Sequence, residues 1–460
     1  MTIAMDLQTA ARATAGSLVG GNPEFQGVST DSRTVAPGQL FVALRGASFD
    51  GHDYLQTAAD RGAVAGMVAE DALAALPARA FPLLQVADTR LALGALAADW
   101  RNRFALPLLA VTGSNGKTTT KEMIASILRA AFGDAVLSTP GNFNNDIGLP
   151  LTLFQLSAGH RAAVVEMGMN HPGEITYLAG IARPTVALVT NAQRAHLAGL
   201  GSMEAIASEK GSIFSGLEED GIAVFSADDR WADLWGRQCQ ACRTMTFGFE
   251  RPADVRGESF IHGLESRLRV QAAGEEIEIE LALPGRHNAC NALAAATACL
   301  ASGISLACVG VGLRSFRGMH GRLQRRAAAH GAILLDDTYN ANPDSVRAGI
   351  DVLAATVGRK VLVLGDMGEI GEMSAQFHDE IGGYAKSQGV DRLLAFGTLS
   401  AIAACNFGAG GDHFEQLDKL IAALAADLTP QTTILVKGSR FMRMERVADA
   451  ISVTAASGEV

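Results

Sequence analysis

A chain of 460 residues, 48% hydrophobic and 19% charged, has material for about three ordinary domains with real cores, which excludes a disordered or fibrous protein. Its net charge of −10 and the lack of any basic block argue against a general nucleic-acid binder, because nothing would neutralise a run of phosphates. No basic segment leads into an apolar one near the N-terminus, and only Cys239 and Cys242 lie close together, so free thiols in a cytoplasmic protein are expected rather than a secretory signal or a zinc site.

Over residues 1–104, short strand and helix patterns are broken by turns such as Ala36-Pro37-Gly38 and Phe49-Asp50-Gly51, which predicts a small mixed α/β domain. Residues 105–318 alternate apolar strands with helices. Strands are expected at 106–111, 162–166, 185–190 and 222–226, in parallel βαβ order with ligands at their C-terminal ends. The uncharged stretch 289–313 is mostly Ala, Gly, Ser and Cys, so a packed helix followed by a loop is expected, not a membrane span. A second alternating series fills 319–460, with strands at 332–335, 360–364, 392–396 and 432–436 and helices over 345–357, 375–388 and 441–452. It predicts a Rossmann-like domain without the glycine fingerprint of a dinucleotide fold.

The chemistry begins at Thr112-Gly113-Ser114-Asn115-Gly116-Lys117-Thr118-Thr119, between a strand and a helical pattern over 117–132. A glycine-rich turn there offers backbone N–H groups and the positive end of a helix dipole to an anion. Lys117 would reach the β- and γ-phosphates and the Thr118 hydroxyl a Mg²⁺ ion, so a nucleoside triphosphate is the expected ligand. Val111 stands where the longer phosphate-loop pattern has glycine, which leaves the shorter form.

Other candidates follow strands of the same two domains. Glu166 ends an apolar strand, where a carboxylate can hold phosphate-bridging Mg²⁺. His196 follows the next strand, and Lys210 lies 14 residues further on a helical pattern over 203–214. Near a triphosphate both could serve a second metal or the reacting phosphate. The amide-rich loop 141–148 carries Asn144 and Asn145, which suit a sugar or amide substrate but are also ordinary turn formers. Asn288 either caps the helix that follows or faces a ligand. Asp337, Tyr339 and Asn340 follow a strand of the last domain, and Lys437 and Arg440 form a cationic turn suited to a carboxylate.

Taken in order, these segments resemble the Mur ligase family of ATP-dependent amide-forming enzymes, over nearly the whole chain. The residues carrying the resemblance are Gly141-Asn142-Phe143-Asn144-Asn145-Asp146-Ile147-Gly148, Glu166-Met167-Gly168-Met169, Asp337-Thr338-Tyr339-Asn340-Ala341-Asn342-Pro343 and Lys437-Gly438-Ser439-Arg440. The Asp-Asn-Pro-Arg run expected of the ligase adding a single third amino acid is missing.

The resemblance implies three domains: the first holding a UDP group near Ser32 and Arg33, the central one ATP, and the last an incoming dipeptide. UDP-N-acetylmuramoyl-tripeptide and D-alanyl-D-alanine are then the expected substrates, joined through an acyl phosphate by a monomer. It further implies two Mg²⁺ ions, with Thr118 and Glu166 on the first and His196 and a carbamylated Lys210 at the second. Asn288, Arg322 and Asp337 would reach the nucleotide. Rival readings are another ligase of this superfamily, a folylpolyglutamate synthetase, or a regulator that hydrolyses ATP without forming a bond.

Overall fold

The computed structural model describes residues 3–75, 81–240 and 242–453. Among the described residues the strands form sheets of two, five, nine and six strands. Ala4–Asp6 and Glu24–Gln26 pair antiparallel beside a five-stranded sheet in the order Ser17–Val19, Leu83–Val86, Ala65–Ala69, Leu40–Val42, Val28–Ser29. Only the first pair of that sheet is antiparallel. Helix Thr89–Arg101, capped by the Asp88 carboxylate, then leads to the central domain. It buries Leu93, Leu96, Ala97 and Trp100, and Trp100 Nε1 donates to the Leu156 carbonyl at 3.2 Å. Side chains of the first two domains share one apolar cluster.

The nine-stranded sheet runs Glu275–Leu281, Glu265–Ala272, Val255–His262, Arg243–Gly248, Ile222–Ser226, Val186–Val189, Leu108–Thr112, Ala162–Glu166, Val136–Ser138. Its inner strands are parallel and buried on both faces, as continuous Val/Ala/Leu runs require. The βαβ pattern expected over 105–318 ends early, since the last three strands form an antiparallel ribbon. Its second turn is Ala273-Gly274, both at positive φ (50° and 84°), the geometry of a two-residue hairpin. Helix Arg286–Ala301 stops before Gly303 (φ 83°), and a second helix, Leu306–Ser315, stands where a loop was expected. No helix among the described residues is long and apolar enough to cross a membrane.

The six-stranded sheet has the order Gln324–Ala327, Ile333–Asp337, Thr432–Lys437, Arg359–Gly365, Arg392–Phe396, Gly411–Phe414, parallel except at its first pair. Two apolar clusters fill the last domain. Helix Pro343–Ala354 starts in a capping box between Asn342 and Ser345. The helix expected over 441–452 is shorter: a single turn, Arg440–Met442, ends at Arg443 (φ 50°) before helix Glu445–Ile451. In both larger domains the loops after parallel strands converge on one cleft, the place where ligands bind in such sheets.

Candidate active site

The phosphate loop leaves the C-terminal end of the central strand Leu108–Thr112 and enters helix Lys117–Phe132. Gly116 sits at φ 79°, and a Cβ there would lie 2.1 Å from Asn291 Oδ1, so backbone freedom and lack of bulk are both needed. Lys117 Nζ donates to the carbonyls of Gly113 (2.8 Å) and Ser114 (3.2 Å). Burial lowers the Lys117 pKa, Glu166 and Glu369 work against that, and Arg322 adds to it. Ser114 to Thr119 all line the cleft, whose volume is about 1170 Å³, while Gly113 lies behind them with Thr190 Oγ1 against its α-carbon.

Glu166 is 1% exposed. Its Oε1 accepts from Asn144 Nδ2 at 2.8 Å, whereas Oε2 is buried and meets no donor. A bare carboxylate oxygen beside a phosphate loop carrying the Thr118 hydroxyl fits a hard cation such as Mg²⁺, which takes oxygen ligands. No group of three or more His, Cys, Asp or Glu side chains among the described residues could hold a metal unaided. Phosphate oxygens and water would therefore complete the coordination.

His196 has the left-handed backbone φ 59° and faces Glu369 of the last domain at 3.5 Å. Burial and the charges of Lys117 and Lys210 push its pKa down to about 3, so the ring is neutral and able to act as a ligand. Lys210 is 1% exposed, and burial followed by the Lys117 charge puts its pKa well below the usual lysine value. Lys117, His196 and Lys210 thus feel one another, although Lys210 lies behind the cleft wall.

On the opposite wall the Arg322 guanidinium covers the Tyr339 ring at 3.9 Å, and Arg440 approaches the same ring at 5.9 Å. Lys437 is buried and donates to Asp337 Oδ2 (2.5 Å) and the Asn340 carbonyl (3.0 Å). Its charge is therefore already compensated by Asp337, while Arg440 pairs with Glu445 at the start of the last helix. Asn288 is not the helix cap; Gly285 is, and Asn288 Nδ2 donates to the Pro284 carbonyl. Its Oδ1 accepts from Asn291 Nδ2, which ties it to Gly116 through Asn291.

Two expected substrate residues do structural work. Asn145 Oδ1 accepts from Gly148 N (2.8 Å) and Ile147 N to start helix Gly148–Leu153, and Asn144 orients Glu166. Ser32 and Arg33 lie apart from the cleft, with Arg33 paired to Asp31. Sequence reasoning missed Asn291, Arg194 and Glu369. Only Asn291 carried a signal, an i+3 spacing from Asn288 that puts both amides on one helix face.

The chain matches the descriptions "Mur ligase family, catalytic domain" over residues 24–101, "Mur ligase middle domain" over 111–299 and "Mur ligase, glutamate ligase domain" over 321–440. It is 41% identical to the UDP-N-acetylmuramoyl-tripeptide–D-alanyl-D-alanine ligase of Escherichia coli (strain K12), over 95% of this chain and 96% of that one. The chain belongs to the Mur ligase family. MurF from Acinetobacter baumannii superposes with a TM-score of 0.91 at 34% identity, covering 98% and 99% of the two chains. MurF ligase from Thermotoga maritima, in complex with ADP, does so at 0.82 and 29% identity over 92% and 96%. The three-domain Mur ligase architecture is therefore that of this protein, and the phosphate loop, Glu166 and His196 all lie within the segment matched as the middle domain.

Proposed function

We propose that this chain is an ATP-dependent ligase that joins D-alanyl-D-alanine to UDP-N-acetylmuramoyl-tripeptide. The observation that carries the reading is the buried, half-satisfied Glu166 carboxylate set beside a phosphate loop, in a chain whose named relatives match it nearly end to end. Residues 1–104 hold the UDP end in this reading, 105–318 the ATP and 319–460 the dipeptide. The enzyme works as a monomer in this reading, and its six free cysteines suit a cytoplasmic setting.

The tripeptide carboxylate attacks the γ-phosphorus of ATP and ADP leaves; the dipeptide amine then attacks the acyl carbon, phosphate leaves and the amide forms. Positioning and charge neutralisation do most of this work, since no protein nucleophile is needed. Lys117 neutralises the phosphates, the N–H groups of 116–119 hold them, and Arg322 and Arg440 supply cations from the facing wall. Thr118 and Glu166 would hold a Mg²⁺ ion, which would supply further charge neutralisation, and His196 and Lys210 would serve a second ion. Burial holds the Lys210 pKa down, which favours the free amine, the form that adds CO₂ with loss of a proton to become a carbamate, and this supports modification there.

The test is ADP release with ATP, Mg²⁺ and UDP-N-acetylmuramoyl-tripeptide, with and without D-alanyl-D-alanine. The reading expects turnover only with the dipeptide, and a product heavier by the dipeptide less water. Turnover with single amino acids or with folate and glutamate would move the substrate, and hydrolysis indifferent to acceptors would leave a regulator.

A further inference from the structure

The two domain joints differ in kind. The first and central domains share an apolar core, whereas the apolar clusters of the last domain are largely its own and its contact with the phosphate-loop side is polar. Such a joint separates and re-forms at low cost. Its main tie is Arg194. The Arg194 N–H donates to Asp344 Oδ2 at 2.8 Å, and its Nη2 and Nε donate to Oδ1 at 2.7 and 3.0 Å. Nη1 reaches Glu380 Oε2 at 3.3 Å, and the guanidinium lies 5.2 Å from the Phe377 ring centre. These side chains are only 26% (Arg194) and 23% (Asp344) exposed, so solvent screens the pair less than a surface one.

Asp344 belongs to the first turn of helix Pro343–Ala354, and the cap of that helix, Asn342, donates to Asn115 Oδ1 of the phosphate loop at 2.8 Å. Within the central domain, Asn115 N donates to Asn191 Oδ1 (3.0 Å) and Gln193 N to Ser114 Oγ (2.9 Å). The phosphate loop, the 190–196 loop and one helix of the last domain thus close a hydrogen-bonded ring.

We propose that Arg194 is a positioning residue: its fork on Asp344 and Glu380 latches the last domain to the loop bearing His196, so that docking of that domain sets the geometry of the phosphate loop. Arg194 does not line the cleft, so it acts through other residues. The rate part of this inference rests on the ligase reading; the closure part does not.

The experiment compares wild type with R194A, D344A, the double variant and R194K. Turnover and ATP KM are read from ADP release, and domain closure from small-angle X-ray scattering with Mg²⁺ and a nonhydrolysable ATP analogue. Circular dichroism melts confirm that each variant is folded. R194A and D344A are each expected to lower kcat about tenfold, and the double variant to lose no more than either alone, as for residues acting as a pair. ATP KM should move less than about twofold, since Arg194 holds no substrate. R194K should recover part of the loss, keeping the charge but not the fork. R194A should show a larger radius of gyration with the analogue. Multiplicative losses in the double variant, or an R194A scattering curve that superposes on wild type, overturn the latch. A wild type without dipeptide-dependent turnover sinks the ligase reading instead, and scattering still judges the latch.

Discussion

The Asn144 amide donates to Glu166 Oε1 at 2.8 Å and leaves Oε2 of the same buried carboxylate without a donor. One amide thus fixes the rotation of the carboxylate and leaves its second oxygen free. Asn144 is itself held by its carbonyl, which accepts from Gly168 N at 2.8 Å.

Asn144→Ala should therefore weaken Mg²⁺ use without removing a ligand. Loss of a group orienting a metal ligand costs about 10- to 100-fold in metal affinity or activity. A Mg²⁺ titration of ADP release should shift to higher concentration by that order, with the melting temperature little changed. An unshifted titration would detach Asn144 from the metal site.

Lys117→Ala should abolish ligation while leaving the fold intact. Its Nζ donates to the Gly113 and Ser114 carbonyls, so its removal breaks two loop hydrogen bonds and takes a cation from the neighbourhood of Glu166 without unlinking the domain cores. Losing one preorganised charge stabiliser typically costs about 10²- to 10³-fold in kcat. Turnover near wild type would remove the phosphate-loop assignment.

Lys210→Ala should be inactive and partly rescued by a short carboxylate such as formate, which can stand where the carbamate oxygens would. The space is enclosed, since Lys210 is 1% exposed. Full activity with no additive would end the carbamate reading, and mass spectrometry under mild conditions can look for the added CO₂.

His378 predicts a pH effect on stability away from the chemistry. It is fully buried; Nε2 accepts from Met367 N at 3.0 Å and Nδ1 faces the Ser374 carbonyl at 2.7 Å, which fixes the neutral tautomer. Burial lowers its pKa below 6.5, against weaker opposing effects of the Ser374 carbonyl and Asp366. The unfolded chain then binds the proton first, so this contribution is full above pH 6.5 and declines as pH falls below it. Denaturant titrations of wild type should show a steeper fall in stability below that pH than those of His378→Gln. Parallel curves would assign the histidine no part in the acid limb.

Much of this protein was set by local sequence. The run Gly113-Ser114-Asn115-Gly116-Lys117-Thr118 reads as a phosphate loop because neighbouring residues alone make a strand, a positive-φ turn and a helix start. Apolar runs such as Ala162–Glu166 announce buried parallel strands for the same reason, and Glu166 at the end of one already marks the cleft. The antiparallel ribbon over Val255–Leu281 was not read from the sequence, although Arg267-Leu268-Arg269-Val270 and Glu276-Ile277-Glu278-Ile279-Glu280-Leu281 alternate strictly; its hairpin turn of Ala273-Gly274 lacks the usual Asn or Asp signal.

Tertiary structure alone decided which side chains face a ligand and which serve other side chains. Asn144 and Asn145 are neighbours of one type, yet one orients a carboxylate and the other starts a helix. Lys437 reads as a free cation until Asp337, 100 residues earlier, is found beside it. Arg194 and Asp344 are 150 residues apart and carry no motif. Such pairings depend on how whole sheets and domains pack, and hydrogen bonds reach only about 3 Å, so no local pattern could announce them.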